Sequence, residues 1–208
     1  MSQSGQETEA KFYVRDLKRI KTLIEEMNGQ LIQERVLETN IRFDLPDASL
    51  RSEGRVLRLR RDTEARLTYK SASTNDQGVL SRTEIEFTVG EFEKAKQFLE
   101  ALGYQKLIYY EKYRTTYALD PSEGFVHIML DELPFGNFVE IEGETIDSIR
   151  AAAEQLHLIW ERAIAASYTV LFERVRAVMK YSFQDISFEN FADIQVTPSH
   201  LGVRAADE

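Results

Sequence analysis

Charged and apolar side chains alternate in the stretch "ETEAKFYV", near the start of the 208-residue chain. In a strand, successive side chains point to opposite faces, so Glu7, Glu9 and Lys11 would share one face. Such a face could bind a divalent cation and an anion together, because hard cations prefer carboxylate oxygens and anions pair with ammonium groups. Whether the pattern carries chemistry depends on whether other strands repeat it.

Six further segments repeat the alternation. The residues that it places on one face are Arg58 and Arg60, Thr68 and Lys70, Glu84 and Glu86, Lys112 and Arg114, Asp131, and Glu140 and Glu142. A half-solvated antiparallel sheet also has one charged face. Here, however, the charges sort by type: E-x-E pairs occur in three strands and basic pairs in two. This sorting favours a functional surface on which the bases bind an anion and the acids bind divalent cations.

The elements that must position these residues are mostly strands. Eight segments, including "RVLRLRRD" and "SRTEIEFTV", are rich in β-branched and aromatic residues and are separated by turn signals such as "PFGN". Consecutive strands are usually antiparallel neighbours, and eight of them commonly close into a barrel that has no exposed edge.

Helical periodicity appears in three places. The segments 14–27 and 89–102 align without a gap at an offset of 75 residues, which indicates an internal repeat. A third, longer helix is predicted from near Asp147 through the 170s. Helices cover apolar surfaces, so we expect the apolar strand faces to lie outside, under the helices, and the charged faces to line the interior.

We therefore predict an α+β fold, an eight-stranded antiparallel β barrel or tunnel with a charged interior and helices packed outside. Residues 1–180 would form this domain. Residues 181–208 would form a C-terminal extension that packs on the domain or is partly flexible.

Composition restricts the classes of partner. The formal net charge of −9 argues against a nucleic-acid or membrane-surface protein, because both need a positive surface. The chain has no Cys, which excludes thiolate metal sites and Cys nucleophiles. We find neither a signal peptide nor an apolar run long enough for a membrane span. We therefore expect a cytoplasmic monomer or homodimer.

The ordered motifs resemble those of a known family. The stretch "ETEAK" is similar to the E-x-E-x-K signature of the CYTH superfamily, the triphosphate tunnel metalloenzymes, and "LRLR", "LTYK", "RTEIEF", "EKYRTTY" and "LDELPFGNFVEIEG" follow in the family's order. The resemblance implies an eight-stranded tunnel that requires Mg²⁺ or Mn²⁺. It also implies a small-molecule triphosphate as substrate, such as tripolyphosphate, ATP or thiamine triphosphate.

The resemblance also implies roles for individual residues. Substrate binding would fall to Lys11, Arg58, Arg60, Lys70, Lys112 and Arg114. Metal binding would fall to Glu7, Glu9, Asp131, Glu140 and Glu142. Catalysis would involve Glu9, Lys11, Glu84 and Glu86, the last two in positioning metal or water.

Several activities fit this lining. We expect hydrolysis of a triphosphate. The alternative is a class IV adenylate cyclase, because the "LDELPFGNFVEIEG" segment most resembles that branch of the family. A non-catalytic sensor of polyphosphate or nucleotide is a third reading, which the paired carboxylates disfavour because a sensor could bind through the bases alone.

Overall fold

The structure, a computed structural model, describes residues 6–76, 78–120 and 124–208. The strands are β1 (Gln6–Val14), β2 (Gln30–Asp44), β3 (Val56–Arg61), β4 (Ala65–Lys70), β5 (Thr74–Asp76), β6 (Val79–Val89), β7 (Gln105–Leu119), β8 (Val126–Leu133) and β9 (Gly136–Gly143). The helices are α1 (Leu17–Glu26), α2 (Ser49–Ser52), α3 (Phe92–Ala101), α4 (Ile146–Gln155), α5 (Tyr168–Met179) and α6 (Pro198–Leu201), with a 3₁₀ turn at Trp160–Arg162.

Eight of these strands close into an antiparallel barrel. Their order is β1-β9-β8-β7-β2-β3-β4-β6, and β6 pairs back to β1. The short strand β5 pairs only with β6, on the side of β6 opposite β1. Closure satisfies the backbone groups of every strand, which an open sheet leaves exposed at its edges. The predicted barrel fold is confirmed.

The hydrophobic core lies between the barrel and its helices. On β1, Phe12 and Val14 face outward and are fully buried in a cluster with Ile20 of α1 and Ile149 of α4. These side chains have the opposite parity to Glu9 and Lys11, so alternation assigns the apolar face to the helices and the charged face to the interior. No helix among the described residues is long and apolar enough to cross a membrane.

The outer face of β6 departs from this arrangement. Ile85 and Phe87 were expected to lie under a helix, yet they are 56% and 55% exposed. Helix α3 follows β6 in the chain but packs on β3, where Leu99 is buried against Leu57 and Leu59. Helix α3 therefore covers β3, which lies two strands away from β6, the strand that precedes this helix in sequence.

The prediction of one long third helix is wrong, because this stretch is broken in two places. Helix α4 ends at Gln155 with Leu156 as its C-cap, and His157 then adopts a positive φ of 55°, which no helix continues. Trp160 lies in the 3₁₀ turn and packs on Phe12, with ring centroids 6.1 Å apart. Helix α5 then begins at Tyr168, and its N-cap Ser167 accepts a hydrogen bond from the Val170 amide through its side chain.

The internal repeat extends beyond the two helices. Helices α1 and α3 begin at positions 17 and 92, and the 15-residue strands β2 and β7 begin at positions 30 and 105, so both pairs keep the offset of 75. These two long strands also pair with each other along most of their length. The barrel is therefore built partly from two strand–helix–strand units.

Helix α5 and the C-terminal segment fill one end of the barrel. The inward residues Tyr13, Tyr110 and Phe138 at this end share a cluster with Leu171 and Phe172 of α5. The cluster also holds Ile186, Phe191, Leu201 and Ala205 of the segment after α5. The last residues of this segment are held on β1, because the Ala206 amide donates a hydrogen bond to the Tyr13 carbonyl at 2.8 Å. The boundary predicted at residue 180 stays a prediction.

This packing gives a stability test with a matched pair. Phe138 is fully buried and contacts Tyr168 edge to face, whereas Phe98 on α3 is 62% exposed. We expect Phe138→Ala to lower the free energy of unfolding by about 3–5 kcal/mol. Phe98→Ala should change it by no more than about 0.5 kcal/mol. Urea denaturation measures both; equal losses would show that the barrel end is not packed as described.

Candidate active site

A cavity of about 850 Å³ occupies the inside of the barrel. The predicted site residues that line it are Glu7, Glu9, Lys11, Arg58, Arg60, Lys70, Glu84, Glu86, Lys112, Arg114, Glu140 and Glu142. Alternation alone brings them together, because each strand contributes every second residue to the interior. Their convergence from separate strands makes the cavity the candidate active site.

At the α5 end of the cavity, bases and acids pair closely. Lys11 Nζ lies 2.8 Å from Glu140 Oε1, and Arg114 also bonds to Glu140. Burial opposes the charged form of Glu140, but Lys11 and Arg114 outweigh it and hold the pKa of this carboxyl well below its usual range. Glu140 is therefore an anion that neutralises two of the predicted substrate-binding bases.

The acids of β1 have their own cations. Glu7 bonds to Lys70, and Arg82 Nε lies 3.0 Å from Glu7 Oε2. Burial opposes ionisation of Glu7, but the charges of Lys70 and Arg82 lower its pKa to about 2. Arg82 Nη2 also lies 3.5 Å from Glu9 Oε1, so one guanidinium spans both carboxylates of the E-x-E pair.

Glu142 is the acid whose charge the protein compensates least. It lies opposite Glu9 in the β1–β9 register, and burial together with the charges of Glu7 and Glu9 raises its pKa to about 7. Burial also raises the pKa of Glu84, with Lys70 opposing and Glu7 reinforcing the rise. Crowded carboxylates with raised pKa values are suited to binding a divalent cation, because the metal ion would take the place of the proton that they otherwise retain.

The carboxylates fit such an ion by charge rather than by a preformed cage. Within the described parts of the chain, no group of three acidic or His side chains is arranged to hold a metal ion. Lys70 and Arg82 now occupy carboxylate oxygens of Glu7 and Glu9. The fit therefore depends on the donor set of Glu7, Glu9, Glu84 and Glu142, whose hard oxygen atoms are the ligands Mg²⁺ and Mn²⁺ prefer.

Asp131 lies behind the wall of the cavity rather than in it. It is fully buried, and its oxygens accept hydrogen bonds from Lys112 Nζ at 2.9 Å, Arg114 Nε at 2.6 Å and the Tyr168 hydroxyl at 2.8 Å. These contacts orient Lys112 and Arg114 toward the cavity. This position differs from that of the four other carboxylates predicted as metal ligands.

The structure adds residues at the cavity that the sequence analysis missed, one behind its wall and one lining it. Glu38, on β2, lies 3.6 Å from Lys112 and 3.7 Å from Arg60, and these and other bases outweigh its burial and lower its pKa. Arg42 follows it on the same inward face, with Arg58 opposite in register. The signal was available: Glu38, Asn40 and Arg42 alternate along β2, but the segment predicted as this strand, "NIRFDL", began only at Asn40 and so left Glu38 out.

Helix α5 also contributes to the site. Tyr168 lies against the bases, with Lys11 Nζ 4.6 Å and Lys112 Nζ 5.2 Å from its ring centroid. Ser167 and Thr169 line the cavity beside it. No local pattern pointed to these residues, because their place in the site comes from the packing of α5 on the barrel end.

The raised pKa of Glu142 predicts a pH dependence of stability. Between its usual pKa of 4.5 and about 7, the folded protein keeps a proton that the unfolded chain releases, so the free energy of unfolding falls as pH rises through this window. Glu142→Gln removes this difference. We therefore expect the increase in the free energy of unfolding of the variant over wild type to be larger at pH about 8 than at pH about 5.

Urea denaturation in EDTA at both pH values measures this gain. The control is Glu144→Gln, an exposed neighbour of the same residue type, which should show no change with pH. A gain from Glu142→Gln that stays constant across the window would contradict the assigned environment.

Several solved structures are similar to this chain over most of its length. The solved structure of a protein from Pyrococcus horikoshii has 28% sequence identity and a TM-score of 0.63, over 81% of this chain and 99% of that one. A protein from Vibrio parahaemolyticus, named as an adenylate cyclase candidate, has 21% identity and a TM-score of 0.70, over 82% and 99%.

A third structure comes from Hippeastrum. It is named as an adenylyl cyclase candidate with a dominant triphosphatase activity, and it has 17% identity and a TM-score of 0.59, over 80% of this chain and 95% of that one. Comparison with curated proteins gives no match. The CYTH domain family matches residues 5–167, the barrel and its covering helices up to the start of α5. The chain therefore belongs to the CYTH family.

Proposed function

We propose that this protein is a divalent-metal-dependent triphosphatase that hydrolyses a small-molecule triphosphate inside its barrel. The observation that carries the proposal is that one cavity holds both unsatisfied arginine donors and crowded carboxylates. The buried Nε atoms of Arg58 and Arg60 have no hydrogen-bond partner, and burial with the charges of Glu7 and Glu9 outweighs Lys70 and raises the pKa of Glu142. An anion would satisfy the first group and a cation the second.

The bases would bind the phosphate oxygens. Arg58 and Arg60 project from β3, while Lys112 and Arg114 project from β7, so the cavity presents basic groups from two sides. Guanidinium groups bind phosphate through paired N–H donors, which gives orientation as well as affinity. Phosphoryl transfer asks a protein mainly for such positioning and for charge neutralisation.

The acids would hold the metal. Glu9 and Glu142 face each other between β1 and β9, and Glu7 and Glu84 lie beside them, each with Lys70 as a neighbour. Mg²⁺ or Mn²⁺, when bound, supplies neutralisation of the phosphate charge and orientation of the attacking water. In this proposal Asp131 and Glu38 are positioning residues, because they contact the bases from behind the cavity wall.

Hydrolysis itself is a simple displacement. The oxygen of water bonds to the terminal phosphorus, the bridging P–O bond breaks, and one proton from the water is released to solvent or to the leaving phosphate. The basic residues stabilise the charge that develops on the leaving oxygen. The reaction yields orthophosphate and a diphosphate.

The product assay tests the proposed reaction directly. Purified protein would receive tripolyphosphate, ATP and thiamine triphosphate separately, with Mg²⁺, Mn²⁺ or EDTA. We expect orthophosphate release that requires the metal. Cyclic AMP and pyrophosphate from ATP would assign the chain to the cyclases instead, and a rise in melting temperature without turnover would make it a binding protein.

Glu9→Gln tests the role of the carboxylates. The amide keeps the shape of the side chain but removes the charge, so we expect kcat to fall at least about 100-fold while the fold is retained. Initial rates at saturating Mg²⁺ and a thermal melt measure the two quantities. The matched control is Glu26→Gln, an exposed acid on α1, which should leave the rate unchanged. Full activity of the Glu9 variant would remove Glu9 from the proposed metal site.

A further inference from the structure

Arg42 is a cavity-lining cation for which the protein supplies no anion. Its Nη1 donates to Thr169 Oγ1 at 2.6 Å, and its Nε is buried without a hydrogen-bond partner. Among the described residues, no carboxylate oxygen lies within the 4.0 Å of an ion pair with its guanidinium. A buried donor without an acceptor costs free energy, which an ordered water or a bound anion would recover.

The other arginines of the cavity differ from Arg42 in this respect. Arg58 lies 3.6 Å and Arg60 2.9 Å from oxygens of Glu86. Arg66 has Asp62 at 3.0 Å, Arg82 has Glu7 at 3.0 Å and Arg114 has Asp131 at 2.5 Å. On ligand binding, each of these side chains would exchange a protein carboxylate for the ligand, whereas Arg42 would gain its first anionic partner.

The surroundings of Arg42 increase the demand for an anion. Its nearest inward neighbour across the β2–β3 register is Arg58, another cation. Burial lowers the pKa of Arg42, and the charges of Arg58 and Arg82 act in the same direction while Tyr110 opposes them. Two adjacent guanidinium groups, each with a free buried Nε, form a place for a group of more than one negative charge.

The position of Arg42 says which part of a substrate would reach it. Its partner Thr169 belongs to α5, the helix that fills one end of the barrel. A linear molecule in the cavity would therefore meet Arg42 with its end. The terminal phosphate of a linear chain carries up to about two negative charges near pH 7, whereas an internal phosphate carries one.

We propose that Arg42, which is hydrogen-bonded to Thr169 and adjacent to Arg58, forms the subsite for a free terminal phosphate. This subsite would make the protein selective for linear phosphate chains. The proposal rests on the proposed function and adds the substrate feature that is recognised. It assigns Arg42 a role in specificity, which the motifs of the sequence do not.

Linear tripolyphosphate and cyclic trimetaphosphate form the test pair, because both contain three phosphates but only the linear chain has ends. Binding would be measured by calorimetry in EDTA, so that the readout does not depend on turnover. We expect Arg42→Met to weaken binding of tripolyphosphate about 10- to 100-fold and to change binding of trimetaphosphate far less.

Arg66→Met is the matched control. It removes the same charge from the same cavity, but from a side chain that Asp62 and Glu64 already neutralise. It should weaken both ligands slightly and to the same extent. Without ligand, Arg42→Met should melt at the same temperature as wild type or higher, because the variant no longer buries an unpaired cation.

The outcomes separate the two proposals. If wild type neither binds nor hydrolyses tripolyphosphate, ATP or thiamine triphosphate, the proposed function fails. If it binds ATP or thiamine triphosphate but not tripolyphosphate, the selectivity assigned to Arg42 is overturned. If wild type binds tripolyphosphate but Arg42→Met leaves the preference for the linear chain intact, only the terminal-phosphate subsite is overturned. A loss of melting temperature in Arg42→Met without ligand, with equal loss of both ligands, would also overturn it and make Arg42 a structural residue.

Discussion

The structure depends on keeping many charges inside a closed barrel. Removing a charge from water is costly unless another charge or a polar group replaces the water. The interior meets this requirement by pairing, as Lys11 does with Glu140 and Arg114 with Asp131. The usual order of a globular domain is thereby reversed, because the apolar core lies outside the barrel, between the strands and the helices.

Pairing is complete at some positions and incomplete at others, and the incomplete positions are the informative ones. Around Glu142 the acids outnumber the bases that face them, while around Arg42 and Arg58 the cations lie side by side. The interior thus has one place with an excess of acids and another with an excess of bases. A metal–polyphosphate complex has the same two kinds of charge, which is why one cavity of this design suits a ligand of both signs.

Much of this arrangement could be predicted from the sequence, because a strand's period of two residues reports which side chains share a face. The pattern in "ETEAK" and "VEIEG" placed Glu9 and Glu142 on the interior, and the structure pairs them. The same rule fails where a strand is started too late, as at Glu38. It also says nothing about depth, so it could not distinguish Asp131, behind the wall, from Glu140, which lines the cavity.

Other features lay beyond any local pattern. The break between α4 and α5 turns on the positive φ of His157 and on the packing of Trp160 against Phe12. The docking of α5 on the barrel end follows from contacts between residues more than thirty positions apart, such as Tyr168 with Asp131. Such long-range contacts are decided by the fold as a whole, so the contribution of Tyr168 and Thr169 became visible only in three dimensions.

The filled end of the barrel restricts how a ligand can enter and leave the cavity. On β6, the side chains of Glu84 and Glu86 keep 20% and 28% of their exposure, so solvent reaches the cavity along this strand rather than through the α5 end. Under the proposed function, a linear phosphate chain would enter by one end. The fragment nearest α5 would then have to leave by the same route before the next molecule enters.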